Sequence, residues 1–243
     1  MASQQSALLA CQQLRVGHAG RAIAPPFDLA IREGELIAVV GRNGTGKSTW
    51  FRTVLGLLAP VSGSVTMRPG LRLSYVAQRA QLDPLYPLLA RDVVAMGCER
   101  GASFTRPRWG EPAAVPAALE RVGATAFASR PYRALSEGQK QRVLLARLYA
   151  SDPELALLDE PTSAMDAVAE REALVAIDAL RKERGTSVLV VSHYLGSIRE
   201  FADRVVLLDS ACETVLIGET KEVLDHAVFH RNYPQADDVC EAH

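Results

Sequence analysis

The sequence predicts an α/β fold built on a mostly parallel, two-sided sheet, and three observations lead there. Short apolar runs of strand length, "LIAVV" (36–40), "LALL" (155–158) and "VLVV" (188–191), sit just before turn signals. Runs buried on both faces belong to parallel strands. Stretches of helical spacing separate them, which is the alternation of βα units. From Gln78 to about Ser136 the texture changes to recurrent prolines and helical pieces, which predicts a helical insertion within the α/β domain.

Taken in order, the opening "MASQQSALLACQQL" lacks a basic start and has too short an apolar run for a signal peptide. "ELIAVV" ends at Gly41 and feeds "GRNGTGKST" (41–49), after which "KSTWFRTVLGLL" has helical spacing. In the insertion, "LARDVVAMG" and "PAALERVG" read as helices among Pro84, Pro87, Pro107, Pro112 and Pro116. "ELALLDEP" is a buried strand ending in two acids and a proline. "EREALVAIDALRKERG" is an amphipathic helix closed by Gly185, "TSVLVVSH" another buried strand, and "DRVVLLD" with "ETVLIGE" a last hairpin. No segment of 20–50 residues repeats, so a solenoid is excluded.

Composition narrows the function classes. The chain has 243 residues, 48% apolar, with a formal net charge of −1. That suits a well-packed domain and gives no basic bias toward nucleic acid. No apolar run approaches the roughly 20 residues needed to cross a bilayer, so any membrane role is expected to come through a partner. The four cysteines, Cys11, Cys98, Cys212 and Cys240, form no CxxC pair. Free thiols are expected, with neither a disulfide framework nor a zinc site.

"GRNGTGKST" matches G-x-x-x-x-G-K-[ST] in full, after a predicted strand and before a predicted helix, the context the motif demands. Gly41, Gly44 and Gly46 let the backbone through Arg42, Asn43 and Thr45 curl until successive N–H groups face phosphate oxygens. The following helix, entered through Ser48 and Thr49, adds the positive end of its dipole. Lys47 is expected to reach the β- and γ-phosphates and Ser48 to ligate Mg²⁺. "ALLDE" supplies the second half of such a site. Asp159 can bind Mg²⁺ directly or through water, and Glu160 is placed to act on water as a general base. A glycine-rich turn with a chance lysine, or two surface acids after a strand, is the plain alternative. The two patterns together outweigh it. No guanine-reading NKxD stretch is present, which opposes a GTPase.

The discriminating segment is "LSEGQKQRVLLARLYASDPELALLDEPTSAMD" (135–166). Here the sequence resembles the ATP-binding cassette (ABC) ATPases, and the resemblance covers nearly the entire chain. The family's LSGGQ signature appears as Leu135, Ser136, Glu137, Gly138 and Gln139, with Glu137 in place of the first glycine. The DE pair and "SAMD" follow in the family's order. "YVAQ" places Gln78 as the Q-loop glutamine, and "VSHY" places His193 as the switch histidine. The resemblance implies a P-loop NTPase (RecA-like) core with a mostly parallel sheet and a small antiparallel β part, over 1–78 and about 150–243. It also implies an inserted α-helical subdomain, about 79–149, that carries the signature.

The resemblance further implies ATP hydrolysis at a shared site. Two copies pack head to tail about a twofold axis, each ATP lying between the glycine loop of one and the signature of the other. Ser136, the amide of Gly138 and Gln139 then meet a γ-phosphate held by Lys47 of the other copy. A Ser-Gly turn opening the helix "QKQRVLLARLYA" suits that task, because helix N-termini attract anions. Glu160 polarises the attacking water and His193 contacts the γ-phosphate. Gln78 reports γ-phosphate or Mg²⁺ to the insertion, and Asp166 links the two sites. An outward-pointing Glu137 is compatible with these contacts. The aromatic that the family stacks on adenine falls on His18, in "LRVGHAGRAI"; a loop histidine with no role is the alternative.

With no fused membrane segment and one glycine loop, the chain fits the stand-alone energising subunit of a multi-subunit transporter with separate transmembrane permeases. Its expected place is cytoplasmic, peripheral on the inner face of the cell membrane. "LDPLYPLLARDVVAMG" (82–97) is similar to the run after the Q-loop in metal-ion, iron-chelate and vitamin importers. The tail "GETKEVLDHAVFHRNYP" (218–234) is similar to that of the metal-ion subgroup, with its F-x-x-x-Y stretch. An importer of metal ion or metal chelate, served by an extracytoplasmic substrate-binding protein, is the expected system. Transport of lipid, amino acid or drug, and a soluble cassette ATPase acting as regulator or assembly factor, fit the same motifs. Tyr86, Leu88 and Leu89 are candidate permease contacts. His226 and His230, four apart beside Asp225, have metal-binding spacing but no third strong ligand, so a solvated helix face is expected.

Overall fold

The computed structural model describes residues 7–77, 87–98, 113–192, 194–209 and 214–233. Gln78, Tyr86 and His193 lie outside the described residues. The chain divides into two units, Met1–Leu71 with Ser187–His243, and Arg72–Thr186.

The first unit begins with β1 (Leu9–Arg15), whose buried residues Leu9 and Cys11 keep a period of two that slips before Leu14. At the slip Gln13 adopts φ 44°, and its N–H donates to Asp28 Oδ1 at 2.8 Å. A short hairpin follows, β2 (Gly17–His18) and β3 (Arg21–Ala22), turned by Ala19 and Gly20 at φ 48° and 77°. Positive φ at both central residues is what a tight two-residue hairpin turn requires. β4 (Phe27–Ile31) pairs antiparallel with β1 and buries Phe27, Leu29 and Ile31. β5 (Leu36–Val40) is buried at every position and leads through the glycine loop into α1 (Lys47–Val54). Fully buried Trp50 lies edge-on to Phe27 at 5.1 Å and to Phe51 at 6.2 Å, which seats the start of that helix. β6 (Ser62–Met67) closes the small antiparallel sheet along the other edge of β1.

The second unit holds β7 (Leu73–Val76), α2 (Ala90–Ala95), α3 (Ala114–Arg121), α4 (Glu137–Ser151), β8 (Leu155–Asp159) and α5 (Ala167–Arg184). β7 and β8 run parallel with Leu73 opposite Leu155, and β8 is wholly buried. The ring of Tyr149 in α4 takes the guanidinium of Arg121 from α3 at 5.5 Å and of Arg184 from α5 at 5.0 Å. These cation–π contacts tie three helices together. α5 stops at Gly185, at φ 69°, with Arg181, Lys182 and Arg184 in its last turn, a left-handed cap and cations that suit the helix C-terminus.

The chain returns to the first unit as β9 (Ser187–Val191), α6 (Leu195–Phe201), β10 (Arg204–Asp209), β11 (Thr214–Glu219), α7 (Thr220–Leu224) and α8 (Ala227–Asn232). β9, β5 and β10 are parallel neighbours, with Leu36 opposite Val188 and Ile37 opposite Arg204. β11 adds antiparallel to β10 as the expected hairpin. The result is the predicted mainly parallel sheet with a small antiparallel part. Ligands of such folds gather at the carboxyl ends of the parallel strands, and β5 ends directly on Gly41.

Two local expectations are corrected. α4 begins at Glu137, so Gly138 lies within its first turn and not in a turn ahead of it. His226 does not share a helix face with His230; it caps α8, its Nδ1 accepting the Val228 N–H at 3.2 Å. Among the described residues no group of three or more potential metal ligands forms, and no helix is long and apolar enough to cross a membrane.

Glu170, in the first turn of α5, is 4% exposed, and among the described residues none hydrogen-bonds its Oε1. Burial pushes its carboxyl up from the ordinary 4.5 to about 7, because the charged form loses water without gaining a partner. Between those values the folded chain holds a proton that the unfolded chain releases. Its stabilising contribution is therefore full below pH 4.5 and lost as pH rises through about 7. Thermal unfolding of Glu170→Gln is expected to vary less with pH across that window than unfolding of the parent. Equal slopes would contradict the assignment.

Candidate nucleotide site

The glycine loop is shaped by what surrounds its first residue. A Cβ on Gly41 would overlap the carbonyl oxygen of Leu208 and lie 2.7 Å from Thr45 Oγ1. Only glycine lets β5 pass under the end of β10 and turn. The loop then closes on itself, with the N–H and hydroxyl of Thr45 donating to Arg42 O at 3.3 and 2.9 Å. Gly46, at φ 98°, stands at the N-cap of α1, and no side chain caps that helix. An anion is the ligand that the dipole at such a helix start favours.

Lys47 is 7% exposed and arches back over the loop, its Nζ donating to Gly41 O at 2.7 Å and Arg42 O at 3.0 Å. Arg42, Asn43 and Gly44 are exposed, while Ser48 and Thr49 are half-buried at the helix start. A buried cation, an uncapped helix terminus and a hydroxyl at its second residue together suit a polyphosphate. On the other side of Gly41, its N–H donates to the Tyr233 hydroxyl at 2.9 Å. His18 stands exposed in β2, directly opposite the exposed Arg21 of β3.

The second unit carries the acids and the signature. Asp159 ends β8 and is 4% exposed. Glu160 follows at φ 50°, a left-handed conformation that costs a non-glycine residue roughly 1–3 kcal/mol and collects at functional positions. Ser136 is the N-cap of α4: its Oγ accepts the Gln139 N–H at 3.3 Å, and Gln139 Oε1 accepts the Ser136 N–H at 3.2 Å. This reciprocal box uses one first-turn amide and leaves those of Glu137 and Gly138 beyond the reach of intrahelical acceptors. Glu137 points outward, its side chain 72% exposed and paired with Lys140 at 2.7 Å.

The signature is also fastened to "SAMD". Gln141 Nε2 donates to Ser163 Oγ at 3.1 Å, and its Oε1 accepts the Ala164 N–H at 3.1 Å. A Cβ on Gly138 would come within 3.2 Å of Ala164 O. Asp166 caps α5, its Oδ1 accepting the Ala169 N–H at 2.9 Å. Sequence reasoning missed Gln141 and Tyr233. Gln141's one signal is its position a turn inside the signature helix, and that of Tyr233 is the F-x-x-x-Y pattern of the tail. Gly41→Ala is expected to weaken ATP binding at least about tenfold, the effect of an unavoidable backbone clash at the loop. Binding equal to the parent would contradict this placement of the loop.

A family model described as "ABC transporter" matches residues 25–163. The zinc import ATP-binding protein ZnuC of Cereibacter sphaeroides is 41% identical over 202 residues, 83% of this chain and 79% of that protein. The ZnuC protein of Pseudomonas putida is 36% identical over 249 residues, 96% of this chain and 91% of its own length. Among solved structures, an inward-facing transporter assigned to the metal-chelate type of ABC system aligns with a TM-score of 0.80 at 25% identity, over 94% of this chain and 90% of that one. The glycine loop, the acids ending β8 and the capped signature helix thus stand in a chain that belongs to the ABC transporter family, as one of its ATP-binding, ATP-hydrolysing members.

Proposed function

We propose that this ATPase energises a multi-subunit importer of metal ion or metal chelate. The observation that carries the reading is the likeness, along most of the chain, to proteins named for zinc import, one of them 41% identical over 83% of this chain. Zinc is accordingly the first metal to test.

ATP rests on the loop, its phosphates on the amides between Arg42 and Thr49 and on Lys47, its base beside His18. Ser48 and Asp159 offer hard oxygen donors, a set that suits Mg²⁺. That ion, when bound, neutralises charge between the β- and γ-phosphates. Glu160 takes a proton from the water that attacks the γ-phosphorus; the bond to the bridging oxygen breaks and ADP leaves. His193 contacts the γ-phosphate, and Gln78 carries its presence to the insertion. Ser136, the Gly138 amide and Gln139 of a second copy close over the same phosphate, and Asp166 connects the two sites. The cap at Ser136 supports this role, because it presents a hydroxyl and a helix start together. ATP favours the closed pair only by binding it better than the open one, and hydrolysis removes that preference. Separate permease subunits take up the motion near Leu88 and Leu89 at the inner face of the membrane, and an extracytoplasmic binding protein supplies the metal.

Glu160→Gln is expected to lower turnover at least about 10²-fold while ATP stays bound and a dimer accumulates. A variant that stays monomeric with ATP, where the parent dimerises, would contradict the base assignment. Cells lacking this gene should grow poorly under zinc chelation and recover with added zinc or the parent gene, but not with Glu160→Gln. Recovery with a different metal alone would move the substrate.

A further inference from the structure

The last described helix returns the chain to the start of the glycine loop. Asn232 Nδ2 donates to Asp209 Oδ2 at 2.8 Å and to Val228 O at 2.9 Å. Asp209 is the final residue of β10 and is 4% exposed. The next residue, Tyr233, donates its N–H to Phe229 O at 3.0 Å and packs its ring on that of Phe229, with 5.0 Å between centroids. Phe229 is itself 2% exposed. Ring, backbone and preceding side chain therefore all hold Tyr233, and its hydroxyl accepts the Gly41 N–H at 2.9 Å. Burial raises the phenol's pKa, so the hydroxyl stays neutral.

Residue 41 is where this matters. Its N–H goes to Tyr233 and its carbonyl receives Lys47 Nζ at 2.7 Å. The two peptides share the Gly41 Cα, and glycine offers the softest φ and ψ in a chain. A fixed partner on the first peptide limits drift of the second, whose carbonyl steers the lysine.

We propose that Tyr233 is a positioning residue for nucleotide binding: by accepting the Gly41 N–H, the chain's tail holds the glycine loop and Lys47 in the phosphate-ready arrangement. The inference rests on the loop and Lys47 holding the ATP phosphates, as proposed above, and adds a second element to that site.

Tyr233→Phe tests it, since the ring and its packing remain and only the acceptor is lost. With full-length protein and a fluorescent ATP analogue, the dissociation constant should rise roughly three- to tenfold, as loss of one hydrogen bond predicts. The KM for ATP should rise with it, while kcat stays within about twofold. Asn232→Ala should shift affinity the same way by less, and the double variant should bind little worse than Tyr233→Phe, because both act through one contact. Unchanged affinity in Tyr233→Phe, with binding lost in Lys47→Ala, overturns the tail's role and leaves the loop reading standing. Unchanged affinity in Lys47→Ala overturns both. A lowered thermal midpoint with kcat falling and KM constant also overturns the proposal, because Tyr233 would then serve only the fold.

Discussion

The close approach of Gly41 to the end of β10 is the constraint on which the nucleotide half of this chain depends. A side chain there would overlap Leu208 O, so the turn out of β5 exists only because residue 41 is glycine. From that turn follow the wrap of the loop, the return of Lys47 over its first carbonyls and the uncapped start of α1. A buried cation is costly unless something compensates it. The loop carbonyls compensate the lysine, and in the proposed function a phosphate meets the helix start.

The signature helix solves a related problem differently. Its N-terminus is capped by its own Ser136 and Gln139, so it stands formed without a phosphate. Gln141 then fastens the helix to Ser163 and Ala164, in the segment that leads to Asp166. In the proposed mechanism the signature reads the γ-phosphate of another copy. Prior order is useful there, because ordering entropy is then not charged against closure.

Much of this was legible in the chain. The apolar runs of β5, β8 and β9 and the stop of α5 at Gly185 depend on local chemistry, and the residues announce it. The glycine loop does so too, since its conformation excludes other residues. What the sequence did not announce are contacts set by the fold. Gly41 and Tyr233 are 192 residues apart, and no periodicity joins them. Glu170 looks like one more charge on an amphipathic helix, and only packing removes it from water. The start of α4 is written in the chain as well: Ser136 and Gln139 have capping-box spacing, which places Gly138 inside the helix. His226 resembled a ligand by spacing, but its ring nitrogen serves a backbone N–H.

In the proposed mechanism the glycine loop of one copy works with the signature of another. Two inactive chains, one carrying Lys47→Ala and the other Ser136→Arg, test it most directly. Each homodimer has a defect in both of its sites. In a mixed dimer one site collects both defects and the other collects none, because head-to-tail pairing crosses the halves. Mixing the two chains and measuring ATP hydrolysis should therefore restore activity that neither shows alone. A mixture as inactive as its components, with mixed dimers shown to form, would contradict the account.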